Sequence, residues 1–293
     1  MSDYDFSDVR PVSLNSDEPQ LCQILYDDEY KSIMGKLLAL MKLKEYTPRA
    51  LYLTELGIEQ LASHYTIWIY RFNILQNLPD ANYYDELDWC EQIALDNEKN
   101  YQIWNYRQLI INEIVKQETS NGKDKFDPHR EFPIMEAMLD ADPKNHHVWS
   151  YRKWLVEKFD LYNDEKERLF VDECIDADLL NNSAWSHRFF LNFAQDVSPS
   201  EEILGKEISY TKDKIIHCPQ NASSWNYLEG VYEKLNKDLT DLEEFVSKFV
   251  DFDDANKVKS SFALELLSRI SKQNGEDEKV AKYDKMLRSL FKA

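Results

Sequence analysis

Residues 100–107 read NYQIWNYR, and this stretch decides the fold of the chain. Its tryptophan stands four positions after the opening asparagine, followed by an aromatic residue two positions later and an arginine three positions later. The frame recurs four times, with histidine once in place of the aromatic residue and leucine once in place of the arginine. The other copies are HYTIWIYR at 64–71, NHHVWSYR at 145–152, NNSAWSHR at 181–188 and NASSWNYL at 221–228. Five of the seven tryptophans stand in this frame, so it marks an internal repeat.

Each copy of the frame predicts the start of a helix. The first position is asparagine in four copies, and an asparagine side chain there can accept a hydrogen bond from a free backbone N–H of the first turn. These predicted caps are Asn100, Asn145, Asn181 and Asn221. The tryptophan and the arginine three residues later share one helix face, so the arginine can reach a carbonyl or carboxylate on a neighbouring helix.

A second amphipathic stretch lies between successive frames, so each repeat is predicted to be a helical hairpin. The chain has six glycines, about 2% against a usual ~7%, which suits helices joined by short polar loops. We therefore expect an all-α fold: a crescent-shaped, right-handed superhelical solenoid of stacked helical hairpins. The longest interval between frames contains a polar insert, residues 116–130, which is predicted to be a surface loop.

The ends of the chain lack the frame. Residues 1–20 are rich in Asp, Ser and Pro and are predicted to be a flexible segment. Residues 21–293 are predicted to form a single repeat domain, with a helical pair over 21–62. Helices at 258–270 and 278–291 would act as the degenerate end repeat.

Composition excludes several classes of protein. The formal net charge of −19 argues against nucleic-acid binding, which requires Lys and Arg against the phosphates. The longest apolar run, Leu37 to Met41, is too short to cross a bilayer, and no secretory signal is expected. The four cysteines are widely spaced, as in a reduced cytoplasmic protein, and no metal site is predicted on this chain.

The frame resembles the repeat of protein prenyltransferase α-subunits. DNEKNYQIWNYR, DPKNHHVWSYRKW, NNSAWSHR and CPQNASSWNYL are similar to four consecutive repeats of that family, and HYTIWIYRFNIL to the repeat before them. The resemblance covers about residues 20–235 and is greatest to the subunits shared by farnesyltransferase and geranylgeranyltransferase type I.

The resemblance implies a heterodimeric enzyme. In this family the α-subunit wraps around a β-subunit, which carries zinc and most of the isoprenoid pocket. The pair transfers a farnesyl or geranylgeranyl group from its diphosphate to the cysteine of a C-terminal CaaX sequence, and Mg²⁺ is a possible further cofactor of the farnesyl-transferring form. The implied partners are thus the β-subunit, a CaaX-ending protein and an isoprenoid diphosphate.

The same resemblance assigns roles to residues at the start of the repeats. Lys99 matches the catalytic lysine that reaches the diphosphate, where an ammonium would stabilise the charge that grows as the C–O bond breaks. His147 matches a histidine on the diphosphate side. Gln102 matches the glutamine that binds the CaaX carboxylate, and Tyr65 is assigned to the peptide side. The last two expected residues, Tyr101 and Asn145, would line the rim of the active site.

The sequence leaves two alternatives open. The first is the α-subunit of the Rab geranylgeranyltransferase, which shares the repeats but does not read a CaaX carboxylate. The second is a helical-repeat scaffold without an enzymatic role. The acidic surface is also consistent with attraction of basic substrates.

Overall fold

The computed structural model describes residues 4–15, 21–22, 24–121, 126–195 and 200–290. These residues contain fourteen α-helices, four short 3₁₀ segments and no β-strand. The helices are α1 (Asp28–Leu43), α2 (Pro48–Gln60), α3 (Tyr65–Asn77), α4 (Tyr83–Asp96), α5 (Gln102–Asn121), α6 (Phe132–Ala141), α7 (His146–Phe159), α8 (Glu165–Ala177), α9 (Asn182–Phe193), α10 (Glu201–His217), α11 (Ala222–Lys234), α12 (Glu243–Ser247), α13 (Ser261–Gln273) and α14 (Asp277–Leu290).

The helices form two compact units, residues 1–152 and 153–293, with the boundary inside α7. In the first unit, α2 packs against α1 and α3, and α5 packs against α3 and α4. In the second unit, α9 packs against α8 and α11, and α13 packs against α12 and α14. The predicted all-α architecture of helical hairpins is confirmed. The single repeat domain over 21–293 stays a prediction.

The repeated frame begins the second helix of each hairpin, and its tryptophan forms a hydrogen bond to the turn before that helix. The indole N–H of Trp68 donates to the carbonyl of Ala62 at 2.8 Å, six residues earlier. Trp185 and Trp225 donate in the same way, at 2.9 and 2.8 Å. The tryptophan therefore combines a buried apolar ring with a satisfied donor.

The asparagine of the frame joins neighbouring repeats as well as capping its own helix. The predicted caps are confirmed: the Asn100 side-chain oxygen, for example, accepts from the N–H of Gln102 at 2.8 Å. The Asn100 side-chain nitrogen donates to the Ala62 carbonyl at 2.7 Å. Asn221 likewise reaches the Leu179 carbonyl at 2.5 Å. Both amide atoms are used, so the residue type is fixed by two separate contacts.

Three arginines of the frame, Arg71, Arg107 and Arg188, each donate to a buried glutamate in the first half of the next hairpin. Arg107 donates two hydrogen bonds of 2.8 Å to Glu131, and Tyr151 donates a third at 2.8 Å. The prediction that the arginine reaches a carboxylate or carbonyl is confirmed. The buried glutamates are Glu86, Glu131, Glu167 and Glu207, each 18 residues before a frame tryptophan. We call this set the glutamate ladder.

The ladder ends where the frame loses its arginine. Leu228 takes that position in the fifth copy and is fully buried. It lies in an apolar cluster with Leu242, Val246 and Leu264 from the segments that follow. An arginine there would have no carboxylate partner, so leucine matches a repeat that ends the array.

The predicted loop over 116–130 is shorter than expected. Helix α5 continues to Asn121, and Pro128–Glu131 forms a 3₁₀ turn, while residues 122–125 lie outside the described residues. The polar end of α5 is held by the Tyr84 hydroxyl, which donates to Glu118 at 2.6 Å. The prediction of a loop was therefore wrong for residues 116–121, because polar composition alone does not end a helix that has a tertiary partner.

The described part of the N-terminal segment, residues 4–15, lies against α1 and α2. Arg49 of α2 donates to both carboxylate oxygens of Asp8, at 2.7 and 2.9 Å. The N–H of Val12 donates to the Gly35 carbonyl at 2.9 Å. A Cβ on Gly35 would stand 2.8 Å from the Val12 carbonyl oxygen, so this approach requires glycine. Residues 1–3 and 16–20 lie outside the described residues, and the flexibility of 1–20 stays a prediction.

Candidate functional site

An open depression of about 690 Å³ lies between the segment after α2 and the segment after α4. Its lining includes Lys99 and Tyr101, together with the apolar side chains of Leu61 and Leu95. The side chains of Leu61, Leu95 and Tyr101 are exposed. A wall that combines a cation with exposed apolar surface suits an amphiphilic ligand or a partner surface.

Lys99 is the cation of this wall and is 73% exposed. Its ammonium forms an ion pair with the Asp142 carboxylate, which precedes α7. Hydrogen bonding from Lys99 holds the pKa of the Asp142 carboxyl below its usual range. The ammonium is thus directed towards the start of α7 while remaining open to solvent, where an anion could contact it.

Tyr101 and His147 lie together. Their rings stack with centroids 5.5 Å apart and planes 25° apart, although the residues belong to different repeats. The His146 ring lies 3.7 Å from the His147 ring. Burial lowers the pKa of His147, and the neighbouring His146 lowers it further. His147 therefore favours the neutral form, which can donate one hydrogen bond without adding a positive charge.

Gln102 is the first residue of α5 and is half-buried. Its backbone N–H is taken up by the Asn100 cap, whereas its side-chain amide has no hydrogen-bond partner within the described residues. A free amide beside the first turn of a helix can donate to an anion, and the positive end of the helix dipole favours such binding.

Tyr65 occupies the position in α3 that Tyr101 occupies before α5, three residues ahead of the frame tryptophan. It is 63% exposed and makes no hydrogen bond or ring contact with the other predicted site residues in the described part of the chain. The fold therefore sets Tyr65 at the same edge of the preceding repeat but does not bring it into the Tyr101–His147 pair.

Asn145 is 4% exposed, and both of its amide atoms bond within the chain. Its nitrogen donates to the Glu98 carbonyl at 3.0 Å, and its oxygen accepts from the His147 N–H at 3.1 Å. It therefore connects the residue before Lys99 to the first turn of α7. This contact was not anticipated from the sequence, which predicts only the cap and a place on the rim.

Asp142 is the contact of this site that sequence reasoning missed. It lies seven residues before Trp149, in the turn that leads to α7. One of its oxygens accepts from the Lys144 N–H at 3.3 Å, and the other pairs with Lys99. The signal was present as an acidic turn residue before the frame, but its partner comes from 43 residues earlier.

The arrangement combines one exposed cation, one neutral imidazole, one amide and the starts of two helices. These groups suit binding of an anion, and the exposed leucines suit an apolar chain beside it. Within the described ranges, no group of three or more His, Cys, Asp or Glu side chains is placed to hold a metal ion. In the same ranges, no helix is long and apolar enough to cross a membrane.

Comparison with known proteins identifies the family. The protein prenyltransferase alpha subunit repeat matches residues 83–114, 128–159, 164–194 and 204–235. The chain is 61% identical over 291 residues to the protein farnesyltransferase/geranylgeranyltransferase type-1 subunit alpha of Candida albicans, covering 99% of this chain and 93% of that protein. It is 39% identical over 231 residues to the subunit of the same name from Schizosaccharomyces pombe, covering 78% of this chain and 73% of that protein.

A solved structure agrees with the sequence relatives. The Candida albicans protein geranylgeranyltransferase-I complexed with GGPP superposes with a TM-score of 0.93 at 61% identity, covering 99% of this chain and 94% of that chain. The four matched repeats coincide with the hairpins α4–α5, α6–α7, α8–α9 and α10–α11, and the similarity extends over nearly the whole sequence. This chain belongs to the protein prenyltransferase α-subunit family.

Proposed function

We infer that the chain is the α-subunit of a heterodimeric protein prenyltransferase of the farnesyltransferase/geranylgeranyltransferase type I class. With a β-subunit it transfers a farnesyl or geranylgeranyl group from its diphosphate to the cysteine of a C-terminal CaaX sequence. The observation that carries this inference is the pairing of Lys99 with Asp142 and of Tyr101 with His147 near the starts of α5 and α7. The names of the Candida albicans and Schizosaccharomyces pombe relatives support the same class.

Lys99 is proposed to bind the diphosphate and to stabilise it as the leaving group. Negative charge grows on the bridging oxygen as the C–O bond breaks, and a cation already aimed at that oxygen lowers the barrier. The ion pair with Asp142 supports this role, because it orders a side chain that would otherwise sample many rotamers. The diphosphate would replace Asp142 as the partner of the ammonium.

His147 is proposed to contribute a neutral hydrogen-bond donor on the diphosphate side. Its lowered pKa supports donation from an uncharged ring. Tyr101 is proposed to line the rim and to hold the imidazole by stacking. An ordered ring loses less freedom when it binds an anion, so the stacked pair favours binding.

Gln102 is proposed to bind the C-terminal carboxylate of the CaaX substrate, supported by its unused amide at the start of α5. Tyr65 is proposed to contact the peptide from the preceding repeat. Asn145 is proposed to act on the rim as a positioning residue, because its amide holds the Glu98 carbonyl next to Lys99.

Metal chemistry is proposed to come from the β-subunit. A partner-bound zinc ion would stabilise the thiolate of the substrate cysteine, and Mg²⁺ would assist the farnesyl-transferring form. The residues of this chain would then handle the diphosphate and the peptide carboxylate. A cytoplasmic location also stays a proposal.

The test is reconstitution. The chain should show no transfer alone and should transfer an isoprenoid to a peptide ending in CaaX once a farnesyltransferase or geranylgeranyltransferase type I β-subunit is added. Transfer to a Rab protein with its escort, and none to the CaaX peptide, would assign the chain to the Rab enzyme. Failure to bind either β-subunit, with intact helical folding, would favour the scaffold alternative.

A further inference from the structure

A second open groove, of about 630 Å³, lies at the opposite end of α4 from Lys99. It is bounded by the start of α2, the end of α3 and the start of α4. Its walls are mainly apolar and include Leu51, Leu75 and Leu78, with Trp89 on α4. Trp89 is one of the two tryptophans outside the repeat frame. None of the proposed prenyltransferase residues lines this groove.

The bottom of the groove carries no unpaired charge. Arg71 is 4% exposed, donates two hydrogen bonds to Glu86 at 2.6 and 2.9 Å, and stacks on Trp89 at 3.6 Å. The edge is different, because Asp80 and Asp85 are exposed and take part in no ion pair among the described residues. The groove therefore combines an apolar interior with an acidic edge.

The next repeat shows what such a groove accommodates. Phe126 is buried and stacks on Tyr84 with ring centroids 6.2 Å apart. Arg130 lies 5.3 Å over the same ring and forms an ion pair with Asp88. One aromatic and one basic side chain, four residues apart, thus lie against the start of α4. The open groove lies against the start of α2 in the corresponding way.

The first groove lacks both of these side chains. Phe126 and Arg130 lie 23 and 19 residues before Trp149, and the residues at those distances before Trp104 are Ala81 and Asp85. The phenyl group is therefore replaced by a methyl group and the guanidinium by a carboxylate. The groove is open because no apolar side chain fills it, and the negative charge of its edge is complementary to a cation.

We propose that this groove is a docking site for a segment of a partner protein that inserts an aromatic side chain beside Trp89 and a basic side chain between Asp80 and Asp85. The two groups would supply the aromatic and basic side chains that Phe126 and Arg130 supply one repeat later, with Asp80 and Asp85 in place of the carboxylate of Asp88. The net charge of −19 attracts the same basic partner over a longer range. The groove shares no residue with the proposed active site, so this proposal does not depend on the roles proposed for Lys99, Gln102 and His147.

The test is a titration of fluorescein-labelled KFGSGRK peptide with the full-length chain, as the assembled heterodimer, followed by fluorescence anisotropy. Two control peptides replace Phe with Ser or all three basic residues with Glu. Each should bind at least about tenfold more weakly, since burial of one aromatic side chain or loss of several charge contacts is worth that much. Equal binding of KFGSGRK and either control would overturn the proposal.

Protein variants locate the binding. The double variant Ala81→Phe/Asp85→Arg rebuilds the side chains of the next repeat and should weaken KFGSGRK binding at least about tenfold. Glu173→Arg makes the same change in charge on exposed surface of α8 and should stay within about twofold of wild type. A double variant that binds like wild type would refute the assignment.

A second, more conservative double variant controls for misfolding of the first. Asp80→Asn/Asp85→Asn keeps the shape of the edge, should retain the wild-type melting temperature, and should weaken the peptide about threefold or more with a reduced dependence on salt. Unchanged affinity and unchanged salt dependence of this variant would also overturn the proposal. Prenyl transfer should be unaffected in these variants, which separates this outcome from failure of the proposed enzymatic function.

Discussion

Replacing Glu131 with glutamine tests the glutamate ladder that joins successive repeats. Glu131 has no exposed surface and accepts two hydrogen bonds from Arg107 and one from Tyr151, all at 2.8 Å. The variant keeps the shape of the side chain but removes its charge and one acceptor. Arg107, itself 1% exposed, would then be a buried cation without a counter-ion.

The size of the effect follows from this burial. Breaking a buried ion pair by removing one partner costs about 3–5 kcal/mol, because the remaining charge is not solvated. The loss of a bond from Tyr151 adds about 1 kcal/mol. We therefore expect Glu131→Gln to lower the free energy of unfolding by about 4–6 kcal/mol, a large part of the stability of a typical domain.

The assay is urea unfolding followed by far-UV circular dichroism. The matched control is Glu173→Gln, which removes the same charge from exposed surface of α8 and should change stability by less than about 0.5 kcal/mol. A triple variant, Arg107→Met/Glu131→Met/Tyr151→Phe, should recover much of the loss, since it leaves no unpaired polar group. If Glu131→Gln is as stable as Glu173→Gln, the ladder does not hold the repeats together as described.

The remaining predictions concern the proposed site. In an NMR titration, His147 of the folded chain should show a pKa below the ordinary 6.5 of histidine. As the pH falls through that range, the unfolded chain binds the proton more readily than the folded chain, so the free energy of unfolding should decrease. A midpoint above 6.5 would contradict the effect of burial. Gln102→Ala should raise the KM for a CaaX peptide with little change in kcat, and a normal KM would exclude the carboxylate contact. Asn145→Ala should cost about 1–3 kcal/mol in thermal unfolding, through loss of the helix cap and of the bond to Glu98; wild-type stability would show that the bond is unimportant.

Much of the fold could be predicted from the sequence because the frame joins local and tertiary requirements. A buried tryptophan, an asparagine cap and an arginine on one helix face occur at fixed spacing, and the structure bears out all three in helices such as α5 and α9. The spacing is preserved because the three residues of the frame lie in the first two turns of one helix, whereas the intervals between frames vary.

The buried glutamates could not be predicted in this way. Glu86 and Glu131 are two of 54 acidic residues, and a charged side chain is usually expected at the surface. Their constant distance of 18 residues before the tryptophans is a signal only once one knows that an arginine from the preceding hairpin arrives there. The end of α5 was missed for a related reason, since the contact between Tyr84 and Glu118 is tertiary.

In the candidate site, too, some features could be predicted from the sequence and others could not. The roles of Lys99, Gln102 and His147 were predicted from the resemblance to the family, and these roles stay predictions. The ion pair of Lys99 with Asp142 and the double use of Asn145 depend on how one repeat stacks on the next. Residue patterns within one repeat carry no information about how closely two neighbouring repeats approach each other.

The most direct test of the proposed function is the single-turnover rate of prenyl transfer by heterodimers that carry Lys99→Ala. We expect the chemical step to slow by about 10²–10³-fold with little change in peptide KM, since one preorganised donor to the leaving group is lost. Lys144→Ala is the matched control, because Lys144 holds the same frame position one repeat later, and it should retain the wild-type rate. A wild-type rate for Lys99→Ala, or an equal loss in both variants, would contradict the assignment of Lys99 to the diphosphate.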